Sequence, residues 1–143
     1  MSVSLLDVHR GLTDVPHPMC WRRTFPGRAD QSRLVRQFIA FLLTGCPLAD
    51  NAVFVAAELV ANALQHTRSA LPGGLFLVEV RRWRGGVAVA VTDQGSTNEP
   101  VTRRTDELAE SGRGLHTVEA LATRWGWIGD ASSHTVIAIF NEH

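Results

Sequence analysis

Apolar positions recur with a helical period in three stretches of the chain and with a strand-like period in five, and their order predicts the fold class. Residues 20–25 alternate weakly and stop at Pro26-Gly27, as a short edge strand does. Asp30 then precedes Leu34, Val35, Phe38, Ile39 and Leu42, whose spacing of three and four predicts an amphipathic helix closed by Gly45 and Pro47. A second helix is predicted from about Ala49 to His66. Val53, Phe54, Ala56, Ala57, Leu59, Val60, Ala61, Ala63 and Leu64 make it apolar around most of its circumference, the mark of a buried helix. One polar line survives on it, Glu58, Asn62, Gln65 and His66, on a single face.

After Pro72-Gly73-Gly74, residues 75–83 and 87–92 are β-rich runs joined at Arg84-Gly85-Gly86, which predicts an antiparallel hairpin. Residues 94–111 are polar, carry Gly95 and Pro100, and read as a loop lying over a site, with at most a short turn at 106–109. Ser111-Gly112-Arg113-Gly114 opens a third helix with Leu115, Val118, Leu121 and Ala122 on one side. Residues 124–128 and 135–140 make a last hairpin across 129–133. The order is strand, two helices, two strands, loop, helix, two strands. It predicts an α+β fold, a mostly antiparallel sheet with helices on one face. Residues 1–19, with Gly11, Pro16 and Pro18, read as a tail or arm, and the domain as 20–143.

Composition narrows the partners. Lys plus Arg equals Asp plus Glu at 14 each, so no long-range attraction to nucleic acid or an anionic membrane is expected. Any bound anion is held by local geometry. Cys20 and Cys46 are too few for a disulfide framework and read as free thiols in a reducing compartment. No apolar run reaches the roughly 18 to 20 residues needed to span a bilayer, and the start lacks a signal peptide's basic-then-apolar order; a cytoplasmic location is expected.

Three segments carry candidate chemistry. Burying Glu58 and Asn62 in an apolar helix costs several kcal/mol unless each has a partner. A cation is one such partner: magnesium needs only one or two protein oxygens beside substrate phosphates, so the Asn62 carbonyl can suffice. Glu58, one turn earlier, is then placed to take a proton from a hydroxyl attacking the phosphate. Polar residues that merely cap neighbouring loops would look the same. Asp93 ends the strand of Val87, Ala88, Val89, Ala90 and Val91, and Gly95 permits a turn closed to other residues. A carboxylate there accepts from the exocyclic amine of adenine and repels the oxygen of guanine; an ordinary Asp-Xaa-Gly turn is the alternative. Gly112-Arg113-Gly114 stands just before a helix, where unpaired amides and the helix dipole favour phosphate; a flexible glycine linker has the same sequence.

Together and in this order, Glu58-Leu-Val-Ala-Asn62-Ala-Leu-Gln-His66, Val91-Thr-Asp93-Gln-Gly95 and Gly112-Arg-Gly114-Leu-His-Thr-Val118 resemble the N, G1 and G2 boxes of the GHKL ATPases. Within that superfamily the chain is most similar to the small anti-sigma-factor serine/threonine kinases of actinobacterial type, over about residues 20–141. The resemblance implies a Bergerat-type two-layer α/β sandwich that binds ATP with Mg2+. Asn62 would ligate the metal, Glu58 would be the catalytic base, and Asp93 would read adenine. Gly95, Gly112, Arg113, Gly114 and Leu115 would line the pocket, and Thr135 would support the Asp93 contact. It also implies a homodimer that holds a sigma factor inactive and phosphorylates a STAS-type antagonist. The chain departs from its relatives at Ser133-His134, where they often carry Gly-Lys before the threonine. Arg103, Arg104 and Arg113 are candidate phosphate contacts or solvated surface groups; His66 and His116 read as structural, and Trp125 and Trp127 as packing or partner-facing residues. A non-catalytic regulatory module on the same fold, with nucleotide absent or structural, is the rival reading.

Overall fold

The computed structural model describes residues 18–95 and 112–142, without the side chains of His66 and 112–115. The tail up to residue 17, most of the 94–111 loop with its turn at 106–109, and Arg103 and Arg104 lie outside the described residues.

The described chain runs β1 (Met19–Pro26), α1 (Gln31–Leu42), α2 (Ala49–His66), a single 3₁₀ turn (Arg68–Ala70), β2 (Leu75–Trp83), β3 (Gly86–Asp93), α3 (Gly112–Leu121), β4 (Arg124–Gly129) and β5 (His134–Asn141). The strands form one five-stranded sheet in the order β1-β2-β3-β5-β4, every neighbouring pair antiparallel. β2 and β3 close on Gly85 at φ 89°, a conformation glycine adopts without strain. The expected α+β sandwich is thereby observed. β1 begins at Met19, one residue inside the stretch expected to be tail, because Met19 pairs with Arg82.

All three helices pack on one face. From the sheet, Phe25, Phe76, Val78, Val80, Val87, Val89, Val91, Ala138 and Phe140 meet Val35, Ile39, Val55, Leu59, Val60 and Val118 from the helices. Phe25 anchors the β1 side, stacked on Phe76 at 5.5 Å between ring centres and edge-on to Phe38 at 5.9 Å. The other face carries a smaller apolar cluster of Ala88, Ile137 and Ile139 with Trp83 and Ala90. Both faces of β3 and β5 are therefore apolar, which explains why their sequences show no polar alternation.

The helix expected to be buried all round is not. Phe54 of α2 is 53% exposed, and Ala61 and Gln65 also face solvent. α2 sits between α1 and α3 in a single layer, so its side away from the sheet has nothing over it among the described residues.

Candidate functional site

The site begins where α2 ends. Thr67 closes the helix by donating its hydroxyl to the Ala63 carbonyl at 2.6 Å, and its oxygen accepts from the Ser69 amide at 3.2 Å. The resulting turn reaches the end of β3. The Arg68 amide donates to the Gly95 carbonyl at 2.7 Å, and the Gln94 amide donates to Ser69 Oγ at 3.0 Å. The Arg68 guanidinium donates to the Ala131 carbonyl in the β4–β5 loop. Three connections are thus fastened to one another at one end of the sheet.

Asp93 is the last residue of β3 and faces the helices, with its side chain only 8% exposed. Its Oδ1 accepts the Gly95 amide at 2.8 Å, the local hydrogen bond that aspartate offers a tight turn. Gly95 itself has φ 75°, and a Cβ there would stand 2.3 Å from the Ala131 carbonyl oxygen. Only glycine lets the turn pass beneath the β4–β5 loop. The carboxylate is fixed in place before any ligand arrives.

Glu58 and Asn62 occupy the flank of α2 and are half-buried, not enclosed. The flank faces α3: Asn51, on the same stripe seven and eleven residues earlier, lines a cavity with Leu121 at the far end of α3. The C-terminus of α3 thus lies near the start of α2, and because the two helices pack together, α3 runs back with Gly112 toward the Asn62 end. The backbone of Gly112, Arg113, Gly114 and Leu115 forms the first turn of α3, where amides lack helical partners. The end of α2 is thus tied to the Asp93 turn through Arg68 and Ser69, and the start of α3 lies at the end of that helix remote from the Leu121 cavity.

Thr135 departs from its expected place. It pairs with Thr92 in the β3–β5 register, and the two hydroxyl oxygens lie 2.8 Å apart on the face away from the helices. Successive strand residues alternate faces, so Thr135 and Asp93 stand on opposite sides of the sheet. The residue across from Asp93 is His134, whose Nδ1 lies 3.6 Å from Asp93 Oδ1. Neither His134 nor the Arg68–Ser69 turn stood out in the sequence. His134 was visible only as an oddity before the threonine, and its meaning depends on a register no local pattern contains.

Magnesium fits the donors present. The side chains of Glu58 and Asn62 make no hydrogen bond or ion pair with another described residue, which leaves an amide oxygen and a carboxylate one turn apart on a flank open to ligand. Among the described residues no group of three or more His, Cys, Asp or Glu side chains gathers for a metal. An ion held by one amide oxygen, substrate phosphates and water needs no such group.

A buried carboxylate at a strand end, a half-buried glutamate and asparagine one turn apart, and a glycine-rich helix start stand on an antiparallel sandwich. Residues 25–139 match the histidine kinase-like ATPase domain family, and the chain belongs to it. Among solved structures, the fold resembles the RsbU and RsbW domains of Rv1364c from Mycobacterium tuberculosis, with a TM-score of 0.63 at 20% identity over 88% of this chain. The match spans 32% of that longer chain. It also resembles a chain of the SiaB-SiaC complex from Pseudomonas aeruginosa, with a TM-score of 0.56 at 12% identity, covering 95% of this chain and 96% of that one. No curated protein matches the sequence. At these identities the structural likeness is one of fold. No described helix is long and apolar enough to cross a membrane.

Proposed function

We propose that this chain is an ATP-dependent serine/threonine protein kinase of the anti-sigma-factor type. One observation supports the reading most: Asp93 is fastened at the end of β3 to the turn that closes α2, the helix whose Glu58 and Asn62 make no hydrogen bond with another described residue. Asp93 accepts the adenine amine. Asn62 holds the magnesium ion through its carbonyl, and the first-turn amides of α3, from Gly112, Arg113, Gly114 and Leu115, receive the phosphates. When bound, magnesium neutralises the charge that develops on the phosphoryl oxygens. Glu58 accepts the proton of the Ser or Thr hydroxyl as its oxygen bonds the γ-phosphorus and the bond to the ADP oxygen breaks.

The phosphate acceptor is a STAS-type antagonist protein, and the same chain, as a homodimer, sequesters a sigma factor. The actinobacterial-type motifs support this, as does a fold shared with a chain crystallised in a two-protein complex. Incubating the protein with labelled ATP, magnesium and candidate antagonists should yield phosphoprotein. Glu58→Ala should abolish transfer while leaving ATP binding largely intact. Equal transfer by that variant would remove Glu58 as the base, and absence of ATP binding in millimolar magnesium would favour a purely regulatory module.

A further inference from the structure

His134 is the polar side chain the proposed chemistry leaves unused, and its surroundings define a task. The β3–β5 register sets it directly across from Asp93 on the helix-covered face. The two side chains are 13% and 8% exposed. Packing, not hydrogen bonding, fixes the ring. Trp127 meets it edge-on at 6.5 Å between ring centres, and a Cβ on Gly129 would come within 2.4 Å of its Cδ2, so only glycine leaves room for it. Its Nε2 is buried and has no hydrogen-bond partner among the described residues. The imidazole faces the carboxylate of Asp93, with Nδ1 3.6 Å from Oδ1.

A buried nitrogen left unsatisfied calls for an explanation, because it normally costs on the order of a hydrogen bond. A carboxylate facing Nδ1 places the imidazole proton there. The separation is about half an ångström beyond hydrogen-bond length, and such contacts in ligand-free sites tighten when substrate binds.

We infer that His134 is a positioning residue for base selection: it donates from Nδ1 to Asp93 and holds that carboxylate oriented as an acceptor, so that the pocket takes a purine with an amino group at the six position. It fills the role that Thr135, on the opposite face, does not. The inference rests on the reading of Asp93 as the adenine contact.

The test titrates the full chain with ATP and separately with GTP, in magnesium, by calorimetry, for wild type and four variants. His134→Asn retains a donor where Nδ1 stood, His134→Gln moves it to where Nε2 stood, and His134→Leu removes it. Wild type prefers ATP. His134→Leu and His134→Gln lower ATP affinity about tenfold with GTP binding little changed, so the preference narrows, while His134→Asn stays within about threefold of wild type. A purely structural role would weaken both nucleotides alike and would not separate Asn from Gln. Unchanged preference in His134→Leu, or equal behaviour of Asn and Gln, overturns the inference. Asp93→Asn separates the two levels of the argument. If it too leaves ATP binding and preference unchanged, the reading of the site fails; if it destroys them while the His134 variants do nothing, only the role of His134 fails. Should His134→Leu not fold, the Asn and Gln comparison decides alone.

Discussion

Gly95→Ala tests the knot of loops that holds the site. The glycine has φ 75°, and an alanine in that region costs about 1 to 2 kcal/mol on backbone sterics alone. The added Cβ would lie 2.3 Å from the Ala131 carbonyl oxygen and 2.8 Å from its carbon, both backbone atoms with no side-chain rotation to relieve them. The turn or the β4–β5 loop must then shift. That loosens two hydrogen bonds, Gly95 N–H to Asp93 Oδ1 at 2.8 Å and Arg68 N–H to the Gly95 carbonyl at 2.7 Å, each contributing about 1 kcal/mol. The sum is about 3 to 4 kcal/mol. For a chain of this size that lowers Tm by roughly 9 to 15 °C. Thermal and urea unfolding of the full chain measure it directly. A loss of Tm under about 2 °C would mean that the turn has slack and that Asp93 is not rigidly held, and the account of the site as preformed would have to be abandoned.

Other expectations follow from single side chains. Asp93→Asn keeps an acceptor for the Gly95 amide but presents a donor to the adenine amine; losing a hydrogen bond to a charged group weakens ATP binding by about 10- to 150-fold, read by calorimetry. Glu58→Gln preserves shape and removes the base, so phosphoryl transfer falls by about a hundredfold or more while ATP affinity changes little, read by comparing turnover with binding. Thr135→Val breaks the 2.8 Å contact with Thr92 at a cost of about 1 kcal/mol and leaves ATP affinity within about twofold; a large loss of affinity would return Thr135 to the nucleotide pocket. Phe25→Ala opens a cavity between Phe76 and Phe38 at a position 1% exposed and costs about 3 to 5 kcal/mol in urea denaturation.

Local periodicity carried most of the architecture. The run from Leu75 to Trp83 and the helix from Ala49 to His66 stand in the structure with the bounds their patterns predict, because a period of two or of 3.6 reflects which side of an element is buried. The chemistry-bearing residues were legible for a related reason: glycine before a helix and aspartate at a strand end are demands of the backbone at those points. Placement between distant segments was not legible. That β5 inserts between β3 and β4 depends on which edges pair, and strand pairing leaves no mark in either strand's own sequence. The half-burial of Glu58 and Asn62 depends on α2 having helices at its sides and, among the described residues, nothing behind it. The exchange of Thr135 for His134 beside Asp93 turns on one residue of register between strands about forty positions apart, and such a step moves every side chain to the other face. With both faces of β3 and β5 apolar, hydrophobic patterning could not say which face held the site, and only the packing of helices on one of them decided it.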